Sequence, residues 1–192
     1  MTLPKLLLFL TLPLYVLDQI TKFWTVNHLH PPRWVDFGAQ RELVTDQIPV
    51  IENVFHWVRV HNQGVAFGFG NNSNWAPVVF LIVPLIALTM IRIFWKKGLF
   101  AAPAAKVAVA LLLCGIFGNL TDRLLQGFFL EELNTASFIQ RLLGGYVVDF
   151  ISVKLPIYGW WPSFNVADSC IFVAAFTLFI SGLREEKKSK AA

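Results

Sequence analysis

Asp149 and Asp168 are the residues of this chain best suited to do chemistry. Neither has a basic residue at helical spacing, and both are flanked by apolar side chains, in Val147-Val148-Asp149-Phe150 and Phe164-Asn165-Val166-Ala167-Asp168. Two close carboxylates in a poorly solvated place cannot both ionise easily, so they share a proton. The ionised one can take a proton from water as general base. The protonated one can hydrogen-bond a scissile carbonyl and later serve the leaving amine. Peptide hydrolysis then needs neither a metal nor a covalent intermediate. On residue chemistry alone, a structural role for the pair stays open.

The other polar groups have plainer readings beside any functional one. Asp18 and Lys22 are four apart on one helical face and can neutralise each other. Asp122 and Arg123 are expected at a helix end near water, where charge is cheap. Asn119 and Asn165 suit interhelical hydrogen bonding, and Gly115 and Gly118 suit close helix packing. His28, His30, His56 and His61 lack acidic partners at ligand spacing, so no metal is expected. Ser169 and Cys170 follow Asp168 without an evident base, which argues against nucleophilic catalysis. The only two cysteines, Cys114 and Cys170, lie inside apolar runs and read as buried small hydrophobes.

The elements that must position these groups are membrane spans. Of the 192 residues, 56% are hydrophobic and 15% charged, and the mean hydropathy is +0.58. Soluble domains carry about 45–50% apolar and about 25% charged residues. A spanning helix needs roughly 20 mostly apolar residues, and four stretches qualify, at about 6–26, 76–95, 104–124 and 164–183. No small-residue cleavage site follows the first, which therefore reads as a retained span and not as a leader. The chain is expected to form a single membrane domain, 1–192.

Lys5, Arg92, Lys96, Lys97, Lys106, Arg184, Lys187, Lys188 and Lys190, nine of the sixteen basic residues, fall in short segments on one side. The basic-loop rule then puts both termini in the cytoplasm and the two long loops, about 27–75 and 125–163, outside. Residues 50–60 alternate apolar and polar side chains and read as a short strand. Residues 146–155 also look extended. Gly64, Gly68 and Gly70, with Asn71-Asn72-Ser73-Asn74, mark turns, and 126–141 reads as a short amphipathic helix at the interface. The expected fold class is thus all-α integral membrane, with a small extracytoplasmic β-rich platform and a short interfacial helix. This topology brings Asp18 and Lys22, Asn62 to Gly68, Gly115 to Arg123, Asp149, and Asn165 and Asp168 to one level of the membrane. Asp168 falls only about 6 Å past its helix start. Ionisable residues in spans usually mark a pathway or a site.

Taken together, five blocks resemble a known family. They are Asp18-Gln19-Ile20-Thr21-Lys22, Asn62-x-Gly64-x-Ala66-Phe67-Gly68, Gly118-Asn119-x-x-Asp122-Arg123, Val148-Asp149-Phe150, and Phe164-Asn165-x-Ala167-Asp168-Ser169. In order and in placement they look like the signature blocks of bacterial lipoprotein signal peptidase (signal peptidase II). The resemblance implies an aspartic endopeptidase of the bacterial cytoplasmic membrane, active at its outer face. Such enzymes remove signal peptides from prolipoproteins, cutting before a cysteine that carries diacylglycerol. It further implies that Asp149 and Asp168 are catalytic, and that Asn62, Gly64, Asn119, Asp122, Arg123 and Asn165 line or support the site. Asp18 and Lys22 would be structural, with no cofactor and no nucleic acid involved. Lipidated prolipoproteins and membrane lipids are the expected partners, and the protein is expected to be a monomer. The chain departs from the family pattern in three places. The stretches between Lys22 and Asn62 and from Leu124 to Gly145 are long, and Val65 stands where alanine is common.

Two other classes fit the residues less well. A proton-coupled transporter needs polar residues continuing across the membrane, but here they stop in one half. A non-catalytic membrane scaffold would not require both Asp149 and Asp168.

Overall fold

Lipid offers no hydrogen bonds to a backbone, so apolar runs of this length satisfy their own peptide groups by forming helices. In a computed structural model, which describes residues 2–37, 40–64 and 75–191, four helices have the length and composition to span a membrane. Helix α1 covers Leu3–His28 and contains a π-helical turn at Leu7–Thr11. Helix α2 covers Ala76–Lys96 and continues through Pro84. At about 1.5 Å per residue its 21 residues reach roughly 31 Å, the thickness of a hydrocarbon core. Helix α3 covers Pro103–Leu125 and opens on a proline, whose missing N–H costs nothing in the first turn. A short helix α4 follows at Phe138–Leu143, and α5 runs from Val166 to Ala191.

Between the spans the described residues form six strands, all paired antiparallel. Strands β1 (Arg33–Phe37) and β2 (Gln40–Val44) form a hairpin of their own. Strands β3 (Gln47–Ile51), β4 (Phe55–Asn62), β5 (Val147–Leu155) and β6 (Gly159–Trp160) form a second sheet in that order. The strand expected at 50–60 is therefore two strands joined by a tight turn, with Asn53 in the left-handed region at φ 59°. Glu52-Asn53 interrupts the rough alternation for only two residues, too short a break for periodicity alone to reveal the turn. The β1–β2 hairpin was not expected at all. The helix expected over 126–141 is broken into two 3-10 turns, Gln126–Phe128 and Glu131–Leu133, before α4. Ser137 starts α4 afresh through a capping box with Gln140. The turns expected around Gly68, Gly70 and 71–74 lie outside the described residues.

The chain resolves into two compact units: Met1–Asp18 with Ile82–Leu120 and Val166–Ala192, and Gln19–Leu81 with Thr121–Asn165. The first unit is helical. Its core is built from Ala108, Leu111 and Cys114 of α3 and Cys170 and Ala174 of α5, with Leu10, Leu14 and Tyr15 of α1 packed on it. Small residues let helices approach where no hydrophobic effect drives them together. A side chain at Gly115 would meet the Ala167 carbonyl at 2.6 Å. Thr11, in the π turn, donates a hydrogen bond of 2.7 Å to the Ala110 carbonyl. Both cysteines are free and buried, as their apolar surroundings predicted.

The second unit holds the sheets and the α1 end that meets them. The indole N–H of Trp57 donates to the Thr25 hydroxyl at 2.8 Å, and the Trp57 ring stacks on Phe150 at 4.7 Å. These contacts tie β4 and β5 to the last turns of α1.

Candidate active site

Asp149 sits on β5, in the continuously buried run Tyr146–Phe150, and is only 1% exposed. A carboxylate in such a place needs donors. The Asn62 amide, from the last residue of β4, donates to Oδ2 at 2.9 Å, and the Asn165 amide donates to Oδ1 at 2.8 Å. The Asn62 orientation is itself determined, because its Oδ1 accepts the Gly64 N–H at 3.0 Å and so turns the amide nitrogen towards Asp149. Arg123 in turn holds this turn by its backbone. Its guanidinium donates to the Gly64 carbonyl at 3.0 Å and to Gln63 at 3.4 Å, and lies 4.8 Å over the Phe80 ring. Asn62, Gly64, Arg123, Asp149 and Asn165, separated by as many as 87 residues between hydrogen-bonded partners, are thus brought together in the second unit.

Next to them Lys22 and Asp122 form a buried ion pair at 3.0 Å, each 1% exposed. The same Asp122 Oδ2 accepts the Val148 N–H at 3.0 Å, so the pair also fixes the backbone beside Asp149. Gln19 reaches Asp122 Oδ1 at 3.5 Å. Burial here corrects one expectation. Asp122 and Arg123 were placed near water by their position at a helix end, yet Arg123 is 8% exposed and Asp122 less. The third span continues into the folded segment that follows it, whose strands and turns cover its end.

Asp168 belongs to the first unit, in the first turn of α5, and is half-buried. There a carboxylate faces the positive end of the helix dipole. Asn119 of α3 donates to its Oδ1 at 2.7 Å. Asp18 of α1 is fully buried and accepts the Ala167 N–H at 2.8 Å. That N–H is one of the donors a helix start leaves without an intrahelical partner, so Asp18 caps α5 from another helix. Gly118 makes room for it: a side chain there would meet Asp18 Oδ2 at 2.7 Å and the Ala167 methyl at 2.8 Å. Beyond what their spacing on α1 suggests, Asp18 and Lys22 each have a partner from elsewhere in the chain.

The four histidines are occupied locally. His28 bonds the Trp24 carbonyl, His30 the Asp46 carboxylate and His56 the Gln47 side chain. His61 accepts the Arg59 Nε–H at 3.1 Å. Burial, aided by the Arg59 charge, lowers the His61 pKa to about 3, so the ring is neutral at ordinary pH. Burial raises that of Tyr146, whose ring stacks on His61 at 3.7 Å. Among the described residues no group of three His, Cys, Asp or Glu side chains could hold a metal ion. Ala66, Phe67 and Gly68 of the second motif lie outside the described residues.

Sequence reasoning missed Arg59, a buried cation at the junction of α1, β4 and β5. The one available signal was a charged residue inside the apolar stretch Phe55–Val60, and its meaning depends on a partner strand far along the chain.

A family model described as signal peptidase (SPase) II matches residues 10–184. The lipoprotein signal peptidase of Pseudomonas paraeruginosa is 30% identical over 96% of this chain and 92% of its own length. That of Clostridioides difficile is 32% identical over 91% and 92%. Two solved structures, each described as a bacterial membrane enzyme, share the fold. One has a TM-score of 0.69 at 24% identity, covering 95% of this chain and 90% of its own, and the other 0.64 at 25%, covering 92% of each. With four helices able to span a bilayer and relatives at this level across nearly their whole length, the chain belongs to the signal peptidase II family of bacterial membrane proteases.

Proposed function

We propose that this protein is an aspartic endopeptidase of the bacterial inner membrane that removes signal peptides from prolipoproteins. It cuts the peptide bond before the diacylglyceryl-modified cysteine. Asp149 and Asp168 are its two catalytic carboxylates, and the whole chain works as one membrane peptidase domain. The observation that carries the reading is the setting of Asp149: a carboxylate removed from water, with an amide N–H on each of its oxygens. Donors on both oxygens suit the ionised form, the form a general base needs.

Asp149 takes a proton from a water molecule, whose oxygen attacks the scissile carbonyl. Asp168, protonated, hydrogen-bonds the carbonyl oxygen as negative charge develops there. Collapse of the tetrahedral intermediate breaks the C–N bond, and the proton passes to the leaving amine of the lipidated cysteine. Asn119 orients Asp168, Asn62 and Asn165 orient Asp149, and Arg123 holds the turn that carries Asn62. Asp18, Lys22 and Asp122 fix the backbone around the two carboxylates.

Each buried CH₂ of a diacylglyceryl chain adds roughly 0.8 kcal/mol of membrane attachment. The substrate thus arrives by lateral diffusion with its cleavage site held at headgroup depth. Both termini lie in the cytoplasm, the sheets and the active site at the periplasmic face, and one chain suffices for one site. The test is cleavage of a diacylglyceryl-modified prolipoprotein and its unmodified form by wild type, Asp149→Asn and Asp168→Asn. Cleavage of the lipidated form alone, abolished by either substitution, is expected. Cleavage that survives both substitutions would remove the two aspartates from the mechanism.

A further inference from the structure

The strand that carries Asn62 does not pair uniformly with the strand that carries Asp149. From Phe55↔Val153 to Trp57↔Ile151 one register holds, and from Val60↔Asp149 to Asn62↔Val147 it has slipped by one residue. Two residues of β4, Val58 and Arg59, therefore stand opposite the single Phe150 of β5. This is a β-bulge, and bulges commonly re-aim side chains beside active sites. Its mark is in the burial. Val58 and Arg59 are consecutive, yet both are buried, at 4% and 7% exposure, where a regular strand sends successive side chains to opposite faces. A slip of one residue moves every later side chain to the other face of the sheet. Asn62 lies beyond the bulge, so the bulge decides that its amide faces the Asp149 carboxylate.

The guanidinium of Arg59 holds the extra residue in place. Nη1 donates to the carbonyl of Val26, in the last turn of α1, at 2.9 Å and to that of Leu29, just past its end, at 2.7 Å, groups a helix end leaves without intrahelical partners. Nε donates to His61 at 3.1 Å. The Arg59 backbone N–H donates to the Asp46 carbonyl at 3.2 Å. One buried cation thereby joins the end of α1 to the bulge in β4. For stability alone an apolar side chain would often serve as well as a buried charge. A guanidinium with several aimed donors does what an apolar side chain cannot, which is to select one register.

We propose that Arg59 is a positioning residue for peptide hydrolysis: by pinning the Val58–Arg59 bulge it sets the strand register in which Asn62 meets Asp149. It contacts no substrate. The inference rests on the assignment of Asp149 as a catalytic carboxylate.

The test is a double-mutant cycle on the full-length protein in detergent micelles, with a diacylglyceryl-modified prolipoprotein as substrate. Arg59→Lys is expected to lower kcat roughly 10–100-fold, the order of loss that misplaced catalytic groups produce, with KM within about twofold. Because Arg59 acts through Asn62, the Arg59→Lys/Asn62→Ala double variant should be within about threefold of Asn62→Ala alone. Losses that multiply in the double variant would overturn the proposal, as would a wild-type kcat in Arg59→Lys. Should Arg59→Lys fail to fold, His61→Leu, which removes the acceptor of the Arg59 Nε–H, goes through the same cycle and is judged on the same two outcomes. Asp149→Asn separates the two ideas. If it still cleaves, the assignment of Asp149 fails. If it is inactive while the Arg59 and Asn62 effects multiply, that assignment stands and the role of Arg59 falls.

Discussion

Asp122 and Asp149 lie in the same unit and are equally buried, yet they are held in different ways. An Asp122 oxygen meets the ammonium of Lys22, whereas the Asp149 oxygens meet carboxamide N–H groups from Asn62 and Asn165. A counter-ion at 3.0 Å neutralises a carboxylate and ties it to one place. Neutral donors fix the geometry of the Asp149 carboxylate without themselves supplying a positive charge. On the function proposed above, Asp122 is a carboxylate that builds the site and Asp149 one that does its chemistry.

The strongest way to break this contrast is to remove each charge in turn. Asp149→Asn keeps size and hydrogen-bonding capacity and should lose about 10²–10⁴-fold in kcat, with a melting temperature in detergent close to wild type. A large fall in melting temperature instead would place Asp149 with Asp122 among the building carboxylates. Lys22→Met should do the reverse to the architecture, because it leaves Asp122 buried without its cation. A loss of about 3–5 kcal/mol is expected, read by thermal or denaturant unfolding in micelles. Adding Asp122→Asn, which keeps an acceptor for the Val148 N–H, should recover much of it. No recovery in the double variant would mean that the ion pair is not what Lys22 contributes.

A smaller effect is expected from the neutral surroundings of Asn62. The His61 ring resists protonation down to about pH 3, whereas an unfolded histidine takes a proton near 6.5. Between those values the unfolded chain binds the extra proton. The stabilisation is therefore complete above about pH 6.5 and is lost as pH falls towards 3. Melting temperature should decline over that window in wild type and decline less in His61→Gln. Equal slopes in the two proteins would show that His61 is not the group responsible.

How much of this was legible beforehand follows from the range of each interaction. The spans were readable because lipid demands a long apolar run whatever the rest of the chain does, and their observed limits differ from expectation by only a few residues. Asn62, Asn119, Arg123, Asn165 and the acidic residues were readable as polar groups misplaced in apolar company. Their partners were not. Asp18 and Lys22 sit at the spacing of a local pair, and that spacing could not show that Lys22 also binds Asp122 or that Asp18 also caps α5, contacts made by tertiary packing. The bulge at Val58–Arg59 was invisible for a similar reason, since a register slip exists only relative to a second strand. The β3–β4 turn escaped because it interrupts the rough alternation by only two residues, Glu52 and Asn53, with no glycine or proline to mark it.

Cys114 and Cys170 are the only thiols in the chain, both free, and both sit in the core of the helical unit that carries Asp168. Buried in this way they are shielded from a water-soluble alkylating reagent until that unit opens. The native sequence thus contains its own clock: the rate of alkylation reports how often the helices around Cys114 and Cys170 come apart, with no label engineered in. The sheet-bearing unit holds no thiol and stays silent, so the signal reports the helical unit alone in an unmodified protein.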